Sequence, residues 1–196
     1  MSNIHAQAAT EGIALDAAAD IIRHGNRFLV VGCSGGGKST LSRKIADRFG
    51  LSYISIDRDI LWLPGWVQRE RGAQRRIIET LIAGDRWIMD GTNPSTFDIR
   101  LPRSDLVIWM RMPRYLCVWG ILSRWVRNHG RTRPDMAPGC REKMDFDFFR
   151  FVWTFEKRFA WRIVEGLERH GRDTPLLVVK SRRDMRDLLD LLGARA

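Results

Sequence analysis

Cysteine is scarce in this chain of 196 residues: there are three, Cys33, Cys117 and Cys140. An odd count without metal-ligand spacing excludes a disulfide framework and a zinc cluster, and reads as reduced thiols. Long apolar runs are also missing. None reaches the 18 residues that a spanning helix needs, which argues against a membrane partner. Residues 1–16 have neither a basic n-region nor an apolar h-region, so a cytoplasmic location is expected. Lysine is rare as well, contributing only five of the 33 basic residues. No internal repeat or low-complexity segment occurs.

The composition that remains, 44% hydrophobic and 29% charged, describes one globular domain over residues 1–196 with room for a sizeable core. The formal charge is +10 and is carried almost wholly by arginine. The planar guanidinium suits bidentate contact with phosphate, whereas a merely soluble surface uses lysine too. Residues 111–141 hold seven arginines against a single acid, Asp135. Phosphate-rich ligands, free or polymeric, are the expected partners.

One stretch says where such a ligand sits. Residues 28–50 read FLVVGCSGGGKSTLSRKIADRFG, a buried strand, then G-x-x-x-x-G-K-S over residues 32–39, then an amphipathic helix. Gly32, Gly35, Gly36 and Gly37 let the backbone take positive φ and approach a polyphosphate closely, so that successive N–H groups form a concave anion site. The helix starting near Lys38 adds the positive end of its dipole. Lys38 is expected to reach the β- and γ-phosphates, and the Ser39 hydroxyl to sit on Mg²⁺. Cys33 lies inside this loop, where either positive surroundings lower its pKa or it serves only as a small residue.

The rest of the chain alternates. A short helix is expected over residues 14–23 and strands over 27–31, 52–56, 87–89, 105–113 and 175–179. Helices are expected over 38–49, 68–83, 114–129 and 145–169, and from Ser181 onward with Asp184 completing a capping box. Residues 1–25 form a leading helical extension, and residues 114–169, broken by the glycines and prolines of 130–140, a helical lid region. Five apolar strands alternating with helices imply an α/β fold, a parallel sheet covered on both faces. Ligands then bind beyond the C-terminal strand ends, which gathers the loop, Asp57 and Asp59, Asp90 and the arginine-rich stretch around one crevice.

Asp90 closes an apolar strand before Gly91 and reads as the acid that holds Mg²⁺, or as an ordinary turn aspartate. A carboxylate beside a phosphate site repels its ligand unless it has separate work. Asp57 and Asp59 therefore either orient an acceptor hydroxyl, share the metal's water shell, or cap a helix and a loop. Trp62 and Trp66 wall an acceptor pocket or fill core. Arg124 and Arg127 lie three apart on one helix, and Arg131 and Arg133 lie in the break after it. They suit a lid closing over the transferring phosphoryl group, the alternative being a solvated basic face. The aromatic run over residues 146–161 reads as a helix buried against the sheet rather than a base-stacking surface.

With these residues placed, the chain resembles the P-loop kinases of the adenylate kinase-like and shikimate kinase-like type, and most closely the bacterial DNA topology modulation protein family. GCSGGGKST, LWLPGW, RWIMDGTNPSTFDIRLPRSDLVIW and GRTRPDMAPGCREK carry the resemblance, which spans about residues 28–192. It implies a three-layer P-loop NTPase fold with sheet order 2-3-1-4-5 and ATP with Mg²⁺ on Gly32, Cys33, Ser34, Gly35, Gly36, Gly37, Lys38, Ser39 and Thr40. It also implies lid arginines at Arg124, Arg127, Arg131 and Arg133, and Arg182 or Arg183 near the adenine. Two departures matter. Adenylate kinases carry an arginine shortly after Asp-Gly-Phe-Pro, where this chain has DGTNPSTFDIR ending on Arg100, which speaks against AMP as acceptor. Related members place an aspartate four residues before the first tryptophan, whereas Asp57 is five and Asp59 three before Trp62, so either can inherit the acceptor role.

Three functions follow: an ATP-dependent kinase acting on a small nucleotide or hydroxylated metabolite, a nucleic-acid-associated ATPase linked to DNA topology, or a regulatory ATP-binding protein. All place a nucleoside triphosphate on the loop.

Overall fold

The computed structural model describes residues 12–129, 136–140 and 145–193. Five strands, β1 (Arg27–Gly32), β2 (Ser52–Ser55), β3 (Trp87–Asp90), β4 (Leu106–Met110) and β5 (Leu176–Val179), form one sheet. All pairings are parallel, and the order is β2-β3-β1-β4-β5. That is the expected 2-3-1-4-5. Every residue of β3 and β4 is buried, as strands covered on both faces must be. In register, Asp90 stands beside Val30 on one side and Ser55 on the other, so the C-terminal ends of β2, β3 and β1 meet at one edge.

Eight α-helices cover the sheet among the described residues: α1 (Leu15–His24), α2 (Lys38–Phe49), α3 (Arg71–Ile82), α4 (Phe97–Arg100), α5 (Arg114–Asn128), α6 (Phe146–Arg158), α7 (Ala160–His170) and α8 (Arg182–Leu191). Helix α2 has the limits its sequence pattern predicts and ends on Gly50 at φ 64°, the left-handed stop. Helix α8 opens with the expected capping box of Ser181 and Asp184. The leading helix α1 buries Ala18, Ala19 and Ile22, and Arg23 donates to the Leu191 carbonyl at 2.7 Å, which ties it to α8.

Three expectations need correcting. Helix α3 starts at Arg71 rather than 68, because Val67–Gln68 pairs antiparallel with Trp62–Leu63 and Glu70 caps the helix by accepting from the N–H groups of Gly72 and Ala73. Residues 145–169 are two helices broken at Phe159, whose backbone (φ −131°, ψ −25°) leaves the helical region. The segment after β2, for which the sequence predicts no element beyond the strand at 52–56, is a single π-helical turn, Ile56–Leu61.

Candidate active site

The glycine-rich turn between β1 and α2 adopts the conformation its composition demands. Gly35 and Gly37 take φ of 77° and 93°. At Gly35 a Cβ would lie 2.1 Å from the Cys117 carbonyl oxygen, and at Gly120, inside α5, one would lie 2.1 Å from the Gly35 oxygen. The backbones of loop and helix are thus in direct contact. Only paired glycines allow that approach. Thr92 fixes the other end of the loop: its hydroxyl accepts from Gly32 N–H at 2.9 Å and donates to the Gly32 carbonyl at 2.8 Å. Lys38 folds back so that its ammonium donates to the Cys33 carbonyl at 2.9 Å.

Beside the loop, three oxygens converge. The Tyr53 hydroxyl donates to Asp90 Oδ2 at 2.8 Å, and the Ser39 hydroxyl lies beside the same phenol. Burial, and then the adjacent Asp90 charge, push the Tyr53 pKa up. Two guanidinium groups lie over the tyrosine ring, Arg43 at 5.2 Å and Arg58 at 5.5 Å from its centroid. Ser39 and Asp90, each in contact with one phenol oxygen, therefore lie close together and form an all-oxygen donor set. Among the described residues no cluster of three His, Cys, Asp or Glu side chains could hold a metal. One carboxylate and one hydroxyl fit Mg²⁺, which keeps several waters and shares phosphate oxygens rather than demanding a protein cage.

The π-helical turn separates the two aspartates after β2. Asp59 points back: its carboxylate accepts from Ser55 N–H at 2.8 Å and from Arg58 Nε and Nη2 at 2.6 and 2.8 Å. Asp57 instead lines a cavity of about 610 Å³ that opens beside Gly32, Ser34 and Lys38. Trp62 and Trp66 form another wall, their rings 5.4 Å apart and edge to face. They also pack against the small cluster of Met136, Ala137 and Cys140, so the pair both lines a cavity and fills a small core. Opposite them, Phe148, Phe151 and Phe155 of α6 line the same cavity. The aromatic run is therefore divided: Val152 and Phe155 are core, three phenylalanines face the cavity, and Phe146, Trp153 and Trp161 are exposed.

Of the four arginines expected in a lid, Arg124 reaches the loop between β1 and α2, its Nη1 donating to Ser34 Oγ at 3.3 Å. Arg127 is exposed and its Nε donates to the Ser123 carbonyl of its own helix. Arg131 and Arg133 lie outside the described residues. Arg182 and Arg183 are exposed in the first turn of α8, whose Met185 lies against the Gly37 end of the loop. Arg183 pairs with Asp187 at 3.6 Å. Of the two readings of Cys33, the lowered pKa does not hold: the neighbouring Cys117 thiol and burial push it up, while Cys117 is pulled down by the same neighbour.

Thr92, Tyr53 and Gly120 escape a motif reading, because none belongs to a spaced pattern. Arg100 has a function no spacing suggests. It is wholly buried and donates to the carbonyls of Gly91, Thr92 and Asn93 at 3.0, 2.6 and 2.8 Å, and to Thr96 Oγ1 at 3.0 Å. Desolvation pushes its pKa down to about 9. It braces the loop after β3 from behind and does not line the cavity.

No protein-family model and no curated protein matches this sequence. Solved structures do. Shikimate kinase from Acinetobacter baumannii in complex with shikimate is similar at a TM-score of 0.52 and 14% identity, over 88% of this chain and 93% of that one. Shikimate kinase from Bacteroides thetaiotaomicron is similar at 0.50 and 13%, over 86% and 96%. At such identity the likeness shows that the chain shares the fold of these two enzymes, and nothing beyond the fold.

Proposed function

We propose that this chain is an ATP-dependent kinase that transfers the γ-phosphoryl group to a hydroxyl of a small acceptor. The observation that carries the reading is one continuous space: the cavity runs from the phosphate loop at Gly32, Ser34 and Lys38 to the carboxylate of Asp57 and on to an aromatic wall. A donor phosphate and an acceptor can share it without bulk water between them.

In this reading Lys38 and the loop N–H groups neutralise the triphosphate, and residues 33–40 hold it. Asp57 orients the acceptor hydroxyl and takes its proton as the oxygen–phosphorus bond forms and the bond to the bridging β–γ oxygen breaks. Asp57 is preferred to Asp59 because it is the one of the two that lines the cavity. Arg124, with Arg127, Arg131 and Arg133, completes the charge stabilisation, and Arg182 or Arg183 flanks the adenine. Ser39 and Asp90 would hold Mg²⁺, which when bound neutralises phosphate charge. The narrower kinship with the DNA topology modulation family, and a cytoplasmic setting, belong to the same proposal. No helix among the described residues is long and apolar enough to cross a membrane.

The test is an ATP-consumption screen over nucleotides, sugars and hydroxy acids, repeated with Lys38→Ala. Acceptor-dependent turnover should fall by at least about a hundredfold in the variant. Undiminished turnover would remove Lys38 from the site.

A further inference from the structure

A second depression, a groove of about 440 Å³, adjoins the first, and Gln68 and Asn93 line both. Its chemistry is the opposite of its neighbour's. Arg71 from the start of α3, with Arg162, Arg169 and His170 from α7, face it, and Glu165 is its only acid among the described residues. That acid is paired with Arg169 at 2.9 Å. Arg71 and Arg162 take part in no ion pair among the described residues. Arg162 is held in place by rings: its guanidinium lies 5.4 Å from the centroids of both Phe159 and Trp161. Stacked guanidinium groups keep their hydrogen-bonding edges free for a carboxylate or phosphate. Uncompensated cations in one concavity repel each other and draw an anion into it.

The junction is rigid. Asn93 has φ 26°, unusual for a residue with a Cβ, and its carbonyl accepts from buried Arg100 while its side chain bonds to Ser95 and Gln74. A backbone held in that region next to a cavity is a mark of a binding site.

Resting on the kinase reading above, we infer that this groove is the distal half of the acceptor site. It takes a phosphate or carboxylate group of an acceptor whose flat body lies between Trp62, Trp66 and Phe148 and whose hydroxyl meets Asp57. The acceptor is thus an anion with two separated parts, a ring and a charged tail, bridged over Asn93. A neutral sugar or nucleoside leaves the groove unused.

Matched probes test this: a nucleoside against its monophosphate, and a sugar against its acid and its phosphate, with the double variant Arg71→Gln/Arg162→Gln and the control Arg76→Gln. The anionic member of a pair should be the better acceptor. In the double variant its KM should rise by about tenfold or more, exceeding any change in kcat, and the control should not show this. The phosphate and carboxylate arms distinguish which anion is read. Calorimetric binding of the same probes to protein loaded with a non-hydrolysable ATP analogue gives a readout independent of turnover. Equal affinity of wild type and double variant for the anions, or preference for the neutral probe, overturns the groove assignment. So does an effect of the variant seen only with a single-stranded oligonucleotide, with steep salt dependence. Failure of the wild type to bind the ATP analogue would overturn the kinase reading instead.

Discussion

Asp57 and Asp59 are two residues apart and chemically identical, yet their surroundings assign them different work. Asp59 is a structural acceptor, closing the turn onto Ser55 and Arg58, whereas Asp57 stands on the cavity wall. Asp59→Ala should therefore cost about 1–2 kcal/mol of stability, seen as a lower denaturation midpoint. Asp57→Asn should lower kcat by about two to four orders of magnitude, far more than Asp59→Ala does. The reverse pattern would exchange their roles. Sequence spacing could not make this choice, because it depends on a π-helical turn whose i to i+5 bonding has no propensity signature. The phosphate loop was legible for the opposite reason: glycines at positions needing positive φ, followed by Lys-Ser, leave few other structures for those residues.

At the scale of elements, helix α5 is built onto the loop rather than merely near it. Gly120 costs its helix about 1 kcal/mol relative to alanine, and in return lets the Gly35 carbonyl approach to a distance no Cβ tolerates. Gly120→Ala should gain helix propensity, yet lower stability by about 1–3 kcal/mol net through the displaced contact. It should also weaken binding of a fluorescent ATP analogue. An unchanged affinity would show that helix and loop are energetically independent. A mid-helix glycine reads in a sequence only as a weakness. The facing glycine that explains it lies far away in the chain, so this contact was illegible there. The strands and helix α2 were legible because apolar runs and a glycine stop are local signals. The break at Phe159 was not, since an aromatic residue is tolerated in a helix and its departure follows from packing.

The whole molecule joins an edge of central strands to a cavity and an outer basic groove, and its stability shares the electrostatics of its charge. Asp105, at the foot of β4, is partly desolvated but accepts from the N–H groups of Asn26 and Arg27 and pairs with the Arg27 guanidinium at 3.0 Å. Its carboxyl is held below the ordinary carboxylate range. The unfolded chain then binds this proton more readily than the folded one, so the contribution is complete above about pH 4 and lost as the pH falls further. Asp105→Asn should lower stability at neutral pH and flatten its acid limb between about pH 5 and pH 3. An unaltered acid limb would mean that other carboxylates govern it. The sheet order was legible only through family resemblance, and the groove beside the cavity was not legible at all, since it brings α3 and α7 together across the molecule. The most direct test of the account is titration calorimetry of ATP with Mg²⁺ into the wild type and Lys38→Ala: saturable heat in the first, lost or weakened by at least about tenfold in the second, is predicted, whereas no heat in the wild type, or equal binding by both, would contradict it.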